Sequence, residues 1–349
     1  MKRNEIVDFD KIFTYTNLYN AYLLCRKGNR WKEMTQKFEN CVCINVYKLY
    51  EKLHDEKWKH SGYHTFTKIE RGKERFIQAE YFTDRVVERC LCEYSLFPTL
   101  SKSFIFDNGA CQKYKGVDFA VNRCRDLLRE HIRKYGNEGY VLQFDFHHYF
   151  EEIPRERVYE FLSKMYTDDR VMKVIHQFID NFTRGLGLGS QISQTIGLYY
   201  PNRLDHKIKE YFRVRGYMRY MDDGVAFFKT KEEAQKVLDY LKEWCKENEI
   251  PLNEKKTHIT KLTKGFSFLK RNFIALNNKV VVCLNKENIK RMKRKIKKLA
   301  KFMSYEGLMT YAKSWFGSIS HQDCNSYRQL KSIERYIIKV LGDNYSNGR

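Results

Sequence analysis

Asp222 and Asp223 stand side by side in Arg219-Tyr220-Met221-Asp222-Asp223-Gly224, within the largely apolar run from Tyr217 to Phe228. Short aromatic and aliphatic flanks bounded by Gly216 and Gly224 predict a β-hairpin with both acids at its turn. Adjacent carboxylates on such a hairpin are hard oxygen donors that suit a divalent cation working on phosphates. A solvated turn is the plain alternative. The chain supplies its own comparison in Asp168-Asp169, an equal dipeptide ahead of Val171, Val174, Ile175, Phe178 and Ile179. That spacing is helical, so Asp168-Asp169 reads as an N-terminal cap. The dipeptide means little by itself, and the flanks carry the distinction.

Phosphoryl transfer by two metals needs carboxylates from separated chain segments, converging on ions about 4 Å apart. Asp145 ends the apolar run Gly139 to Asp145, where a buried carboxylate is costly without a cation; a surface acid at a strand end is the alternative. His147-His148 follow, and neighbours on a strand point to opposite faces, so they do not share an ion. Gly185-Leu186-Gly187-Leu188-Gly189-Ser190-Gln191-Ile192-Ser193-Gln194 lets the backbone approach a base pair or phosphate closely, ahead of a helix with free N–H groups. It lacks the Gly-Lys-Ser/Thr ending of a nucleotide-triphosphate loop. Lys73 and Arg75 alternate on one strand face and can grip the same phosphate chain, or belong to a solvated hairpin.

The elements that must position these residues mix helices and strands without strict alternation, which predicts an α+β fold. Helical periodicity covers Thr14 to Leu53, Thr83 to Leu96, Phe119 to Ile132, Arg155 to Met165, Val171 to Phe182, Ser193 to Phe212 and Glu232 to Glu249. Strand patterns cover Tyr63 to Ile69, Arg75 to Glu80, Gly139 to Asp145, Lys256 to Lys261, Ser267 to Asn272 and Val280 to Leu284. From Lys286 to Phe302 there are nine Lys/Arg and one acid, while Ile289, Met292, Ile296, Leu299 and Phe302 keep an apolar stripe. This is a helix with one packed face and one strongly basic face.

The chain has 349 residues and 65 Lys and Arg against 43 Asp and Glu, a formal charge of +22 that favours a polyanionic partner. No apolar run reaches the roughly 18 residues of a transmembrane helix, and the N-terminus has no signal-peptide core, so a cytoplasmic protein without a membrane partner is expected. Ten cysteines are spread from Cys25 to Cys324, which predicts reduced, mostly buried thiols. The pairs Cys41/Cys43 and Cys90/Cys92 are one residue apart and do not have zinc-ligand spacing.

Tyr220-Met221-Asp222-Asp223 resembles the metal-binding hairpin of reverse transcriptases, and Asp145 upstream resembles their first palm motif. The resemblance implies that Asp145, Asp222 and the backbone carbonyl of Phe146 hold metal with Asp223 supporting: two Mg²⁺ ions, for which Mn²⁺ can substitute. Phe150, a core residue on its own showing, then falls where the family places an aromatic gate against the ribose 2′-hydroxyl. Leu188-Gly189-x-x-x-Ser193-Gln194 is similar to a pattern of prokaryotic reverse transcriptases best known in diversity-generating retroelements, where an aliphatic residue replaces the Gln common in group II intron enzymes. The resemblance implies that Leu188, Gly189 and Gln194 lie at the nucleotide site, with Leu188 at the position that touches the nascent pair and bears on fidelity.

Lys73-x-Arg75-x-Ile77 with Asp84-Arg85-Val86-Val87 resembles the fingers motif, and Lys256 resembles a later palm lysine that protonates leaving pyrophosphate. Tyr311 to Gly317 with His321 resembles the thumb, which implies that Lys290, Arg291, Arg294, Lys297 and Lys298 track nucleic-acid phosphates. One departure is Lys270, where the family has Gly after Phe-Leu.

The resemblance implies a right-hand polymerase with an N-terminal helical region over 1–60, fingers and palm over 61–284 and a helical thumb over 285–349. The activity it implies is RNA-directed DNA synthesis for a diversity-generating retroelement, with template RNA, deoxynucleotides, a DNA product and an accessory protein or second copy as partners. A defence enzyme against phage with a dedicated noncoding RNA is the alternative, and an RNA-binding scaffold with a vestigial site is a third reading. RNA removal and DNA insertion would fall to other proteins.

Overall fold

A computed structural model describes residues 7–70, 73–319 and 326–346, which form two compact units, each discontinuous in sequence. The first comprises residues through Cys111, Phe146–Lys207 and Tyr240–Asn253, and the second comprises Gln112–Asp145, Ile208–Asp239 and the chain from Glu254.

The first unit is mostly helical. Thr14 accepts a hydrogen bond from the Asn17 N–H and so starts the helix Tyr15–Arg26, which buries Leu18, Ala21, Tyr22 and Cys25. Strands β1 (Tyr63–Glu70) and β2 (Lys73–Glu80) form an antiparallel hairpin in the register Tyr63↔Glu80 to Glu70↔Lys73. Asp168 caps the helix Asp169–Asp180 through the Arg170 N–H, as its sequence setting predicts. It also accepts from the Phe9 N–H and, with Asp10, holds the Arg170 guanidinium.

The second unit is built on a four-stranded antiparallel sheet. Its strands are β3 (Tyr140–Asp145), β4 (Tyr217–Tyr220), β5 (Asp223–Phe228) and β6 (His258–Lys261), in the order β4-β5-β3-β6. A three-stranded sheet follows from β7 (Phe266–Phe268), β8 (Arg271–Leu276) and β9 (Lys279–Leu284). Val141, Met218, Val225 and Phe227 of the first sheet, Leu127 and Leu128 of the helix Val117–Tyr135, and Phe266, Phe273 and Val282 of the second sheet make one buried core. A separate core joins Met292 and Ile296 of the helix Lys286–Leu299 to Leu308 and Ala312 of Tyr305–Ile319 and to Ile333 and Ile337 of Ser326–Ser346.

Four local expectations change. The helix expected over Ser193 to Phe212 is broken: Gln191–Tyr199 stops before Pro201, which has no N–H to continue the ladder, and Asn202–His206 restarts it into a π-helical turn at Lys207–Tyr211. The strand expected over Ser267 to Asn272 is a hairpin turning at Leu269 and Lys270, both left-handed at φ +47° and +66°. Lys256 lies in a turn ahead of β6, not within the strand. His147 and His148 follow β3 instead of lying on it, and their rings meet edge to face at 4.2 Å.

Candidate active site

Antiparallel pairing of β3 with β5 sets Asp145 directly opposite Asp223, and Asp222 occupies the two-residue turn from β4 with Met221. The hairpin expectation needs one adjustment: Asp222 alone is a turn residue, and Asp223 opens the strand. Met221 takes a left-handed φ of +55°, as a tight hairpin turn demands of its first central residue. Gly224 is required by its cross-strand neighbour, because a Cβ there would run into the Phe144 ring.

Asp145 is 3% exposed, and Lys256 Nζ donates to its Oδ2 at 2.6 Å. Burial pushes the Asp223 carboxyl up to about 8, reinforced by the charge of Asp222 and a hydrogen bond with Asp145. Burial tends to lower the Lys256 ammonium, but its bond to Asp145 and the charges of Asp145, Asp223 and Asp222 raise it overall. Three carboxyl groups are thus crowded at one end of the sheet, and the Lys256 ammonium reaches Asp145.

Among the described residues no three His, Cys, Asp or Glu side chains are gathered closely enough to form a finished metal site. The donor chemistry nevertheless fits a hard divalent ion. Asp145, Asp222 and Asp223 are all oxygen donors, and the burial and neighbouring charge that push the Asp223 carboxyl up are costs that a cation relieves.

The other sequence-assigned residues divide between the units. In the first, Phe146 is buried next to Tyr149 and Trp244, with ring centroids at 5.2 and 6.0 Å. Phe150 is half-buried in the short helix Tyr149–Glu152, its carbonyl accepting from the Leu186 N–H at 2.8 Å. The glycine loop is held to β2: the Gln78 N–H donates to the Leu188 carbonyl at 3.1 Å, and a Cβ on Gly189 would meet Ile77 at 3.3 Å. Leu188 is half-buried, Gly189 and Gln194 are exposed, and Arg75 is exposed on β2. The Lys73 side chain and His321 lie outside the described residues. In the second unit Lys290, Arg291, Arg294, Lys297 and Lys298 are all exposed along one helix, with Lys290 paired to Glu287.

Three contributions were not read from sequence. Arg219 is fully buried and donates to the Met221 carbonyl at 2.8 Å, supporting the turn that carries the acids; a lone Arg inside an apolar strand was its only signal. Glu88 accepts from the Ser190 hydroxyl at 2.5 Å and the Ile192 N–H at 2.8 Å, anchoring the helix that follows the glycine loop. Arg328, Lys331, Arg335 and Lys339 share a basic cavity of about 550 Å³ with Lys293, which extends the charge of the 286–299 helix onto a third helix.

A profile described as Reverse transcriptase (RNA-dependent DNA polymerase) matches residues 59–305. No curated protein matches the chain. Among solved structures it is similar to telomerase from Candida albicans in complex with a TWJ fragment of telomeric RNA, at TM-score 0.51 and 12% identity, over 86% of this chain and 65% of that one. Apo telomerase from Candida tropicalis gives TM-score 0.50 and 12% identity, over 83% of this chain and 59% of that one. The chain therefore spans less than two thirds of the length of these solved chains, and the likeness concerns the α+β polymerase fold alone. With the profile covering most of the chain, including the paired strands that carry Asp145, Asp222 and Asp223, the chain belongs to the reverse transcriptase (RNA-dependent DNA polymerase) family.

Proposed function

We propose that this chain is an RNA-directed DNA polymerase whose active site is the acid cluster at the β3/β5 end of the four-stranded sheet. The observation that carries the reading is the cross-strand pairing of Asp145 with Asp223, with Asp222 beside them at the hairpin turn. Asp145, Asp222 and Asp223, with the Phe146 carbonyl, would hold the metal ions. When bound, Mg²⁺ would supply Lewis-acid chemistry to a primer 3′-hydroxyl and to the leaving pyrophosphate. Lys256 holds a proton at Nζ beside Asp145, where it can serve the leaving group. Lys73 and Arg75 grip the triphosphate, and the Phe150 ring excludes a 2′-hydroxyl. In this reading 61–284 are fingers and palm, 285–349 the thumb, and 1–60 a helical region ahead of them.

The retroelement role is supported by Leu188-Gly189 preceding Ser193-Gln194, with the Leu188 backbone held to β2. The protein then copies a template RNA into DNA in the cytoplasm with an accessory protein. Asp222→Ala and Asp223→Ala are each expected to bring deoxynucleotide incorporation on a primed RNA template to background while RNA binding persists. Retained synthesis by either variant would overturn the polymerase reading. Sequencing the nucleic acid that copurifies with Asp223→Ala tests the role: a template with variable repeats supports the retroelement, and a dedicated noncoding RNA supports phage defence.

A further inference from the structure

The second unit carries a cavity of about 550 Å³ at the end of the four-stranded sheet opposite the acids. β3 and β5 pair from Asp145↔Asp223 at one end to Tyr140↔Phe228 at the other, roughly 16 Å along the strands at about 3.3 Å per residue. The cavity lies beyond Phe228, and its floor includes the buried Val214 and Phe227. Its rim bears Lys134, Arg213, Arg215, Lys229 and Lys236, all exposed.

None of these five cations forms an ion pair among the described residues. The two acids of the rim are otherwise engaged: Glu233 accepts from the Lys229 and Thr230 N–H groups, and Glu130 stands 3.9 Å from Arg123. Tyr135 completes the wall, 37% exposed, with the ammoniums of Lys134 and Lys229 at 4.9 and 5.9 Å from its ring centroid. The loop that presents Arg213 and Arg215 is pinned. The Val214 N–H donates to the Ile208 carbonyl, the Phe227 N–H to the Gly216 carbonyl, and Lys209 Nζ to the Arg215 carbonyl. Arg213 is held at a left-handed φ of +54°.

We infer that this cavity is a second nucleic-acid site, which takes a single-stranded segment with one base on Tyr135 and its flanking phosphates among the five cations. Unpaired cations converging on one concavity favour a polyanion, and their rigid loop lowers the ordering cost of binding it. The aromatic wall selects single strands, because a duplex keeps its bases stacked inside and offers only phosphates. A base on Tyr135 displaces one of the two lysines, which then turns to a phosphate. The volume suits a nucleotide or two and not a helix. The site is separate from the acid cluster, so it stands or falls independently of the polymerase reading.

The test is fluorescence anisotropy with labelled single-stranded RNA, the DNA of the same sequence and duplex RNA, on the full chain carrying Asp222→Ala so that no synthesis intervenes. Arg213→Ala with Arg215→Ala is expected to lower the slope of log affinity against log salt for single strands by about 1.4, the loss of two phosphate contacts. Tyr135→Ala is expected to weaken single-strand binding by about 5- to 100-fold, and Tyr135→Phe to restore it. Equal weakening for RNA and DNA identifies a general single-strand site, and weakening for RNA alone identifies one that also reads the ribose. In the background with intact acids, the same variants should keep incorporation on a short annealed primer and template, which excludes misfolding as the cause. Unchanged slopes and affinities would overturn the proposal, as would equal losses on duplex, or displacement of the RNA by polyglutamate at equal charge.

Discussion

The Phe150 ring lies against Gly197, where a Cβ would come within 3.0 Å of it, and the Phe150 carbonyl is fixed by the Leu186 N–H. Both contacts hold the aromatic residue in one place, so its bulk is available as a steric limit. Phe150→Ala is expected to reduce the preference for deoxynucleotides over ribonucleotides by about 10- to 200-fold in kcat/KM, read by single-nucleotide extension. A second residue has its consequence in stability. Burial raises the Glu80 carboxyl well above its usual range, with the charge of neighbouring Glu88 adding to the effect. A group raised on folding contributes fully below its unfolded pKa, and that contribution is lost as pH rises through the folded value. Glu80→Gln, which cannot ionise, is therefore expected to gain stability relative to the wild type as pH rises from the ordinary glutamate value of 4.5 into the neutral range in urea unfolding. A constant difference across that range would contradict the burial of an ionisable Glu80.

Among the elements, the β4–β5 hairpin and the β7–β8 hairpin show opposite degrees of legibility. The first announces itself through aromatic and aliphatic flanks bounded by glycines, and its turn is braced from within by Arg219. The second has no Gly or Asn at its turn, so Ser267 to Asn272 reads as one strand. Burial of Phe266, Phe268 and Phe273, with Phe266 and Phe273 stacked at 5.1 Å, pays for left-handed Leu269 and Lys270. The second position of such a two-residue turn strongly favours glycine. Lys270→Gly is expected to stabilise the protein by about 0.5–1 kcal/mol, the relief of the side-chain penalty less the added freedom of the unfolded chain, read as a higher midpoint in urea. Pro201 acts in the same manner on a helix, interrupting a periodicity that is otherwise continuous.

At the scale of the whole molecule the formal charge of +22 is distributed unevenly. On the 286–299 helix, Lys290, Arg294, Lys297 and Lys298 recur at helical spacing away from the buried Met292 and Ile296. Their spacing suits successive phosphates of one backbone. Arg294→Ala with Lys298→Ala is expected to lower the salt dependence of primer-template binding by about 1 to 2 in slope, with little change in folding stability, since both side chains are exposed. An unchanged slope would remove this helix from the nucleic-acid path.

The sequence by itself determined the α+β class, the hairpin that carries Asp222 and Asp223, the capping role of Asp168 and the basic helix. Each follows from periodicity, turn chemistry or charge within a few residues. Tertiary structure decided that Asp145 lies across from Asp223, that Lys256 reaches Asp145 from a turn, and that Arg219 is buried beneath Met221. It also placed Lys134, Arg213, Arg215, Lys229 and Lys236 on the same cavity as Tyr135. Those facts depend on strand order β4-β5-β3-β6 and on desolvation, which arise from contacts between distant segments and leave little local trace in the chain. The Asp222-Asp223 dipeptide supplies two carboxylates, and the pairing of β3 with β5 brings Asp145 across from them.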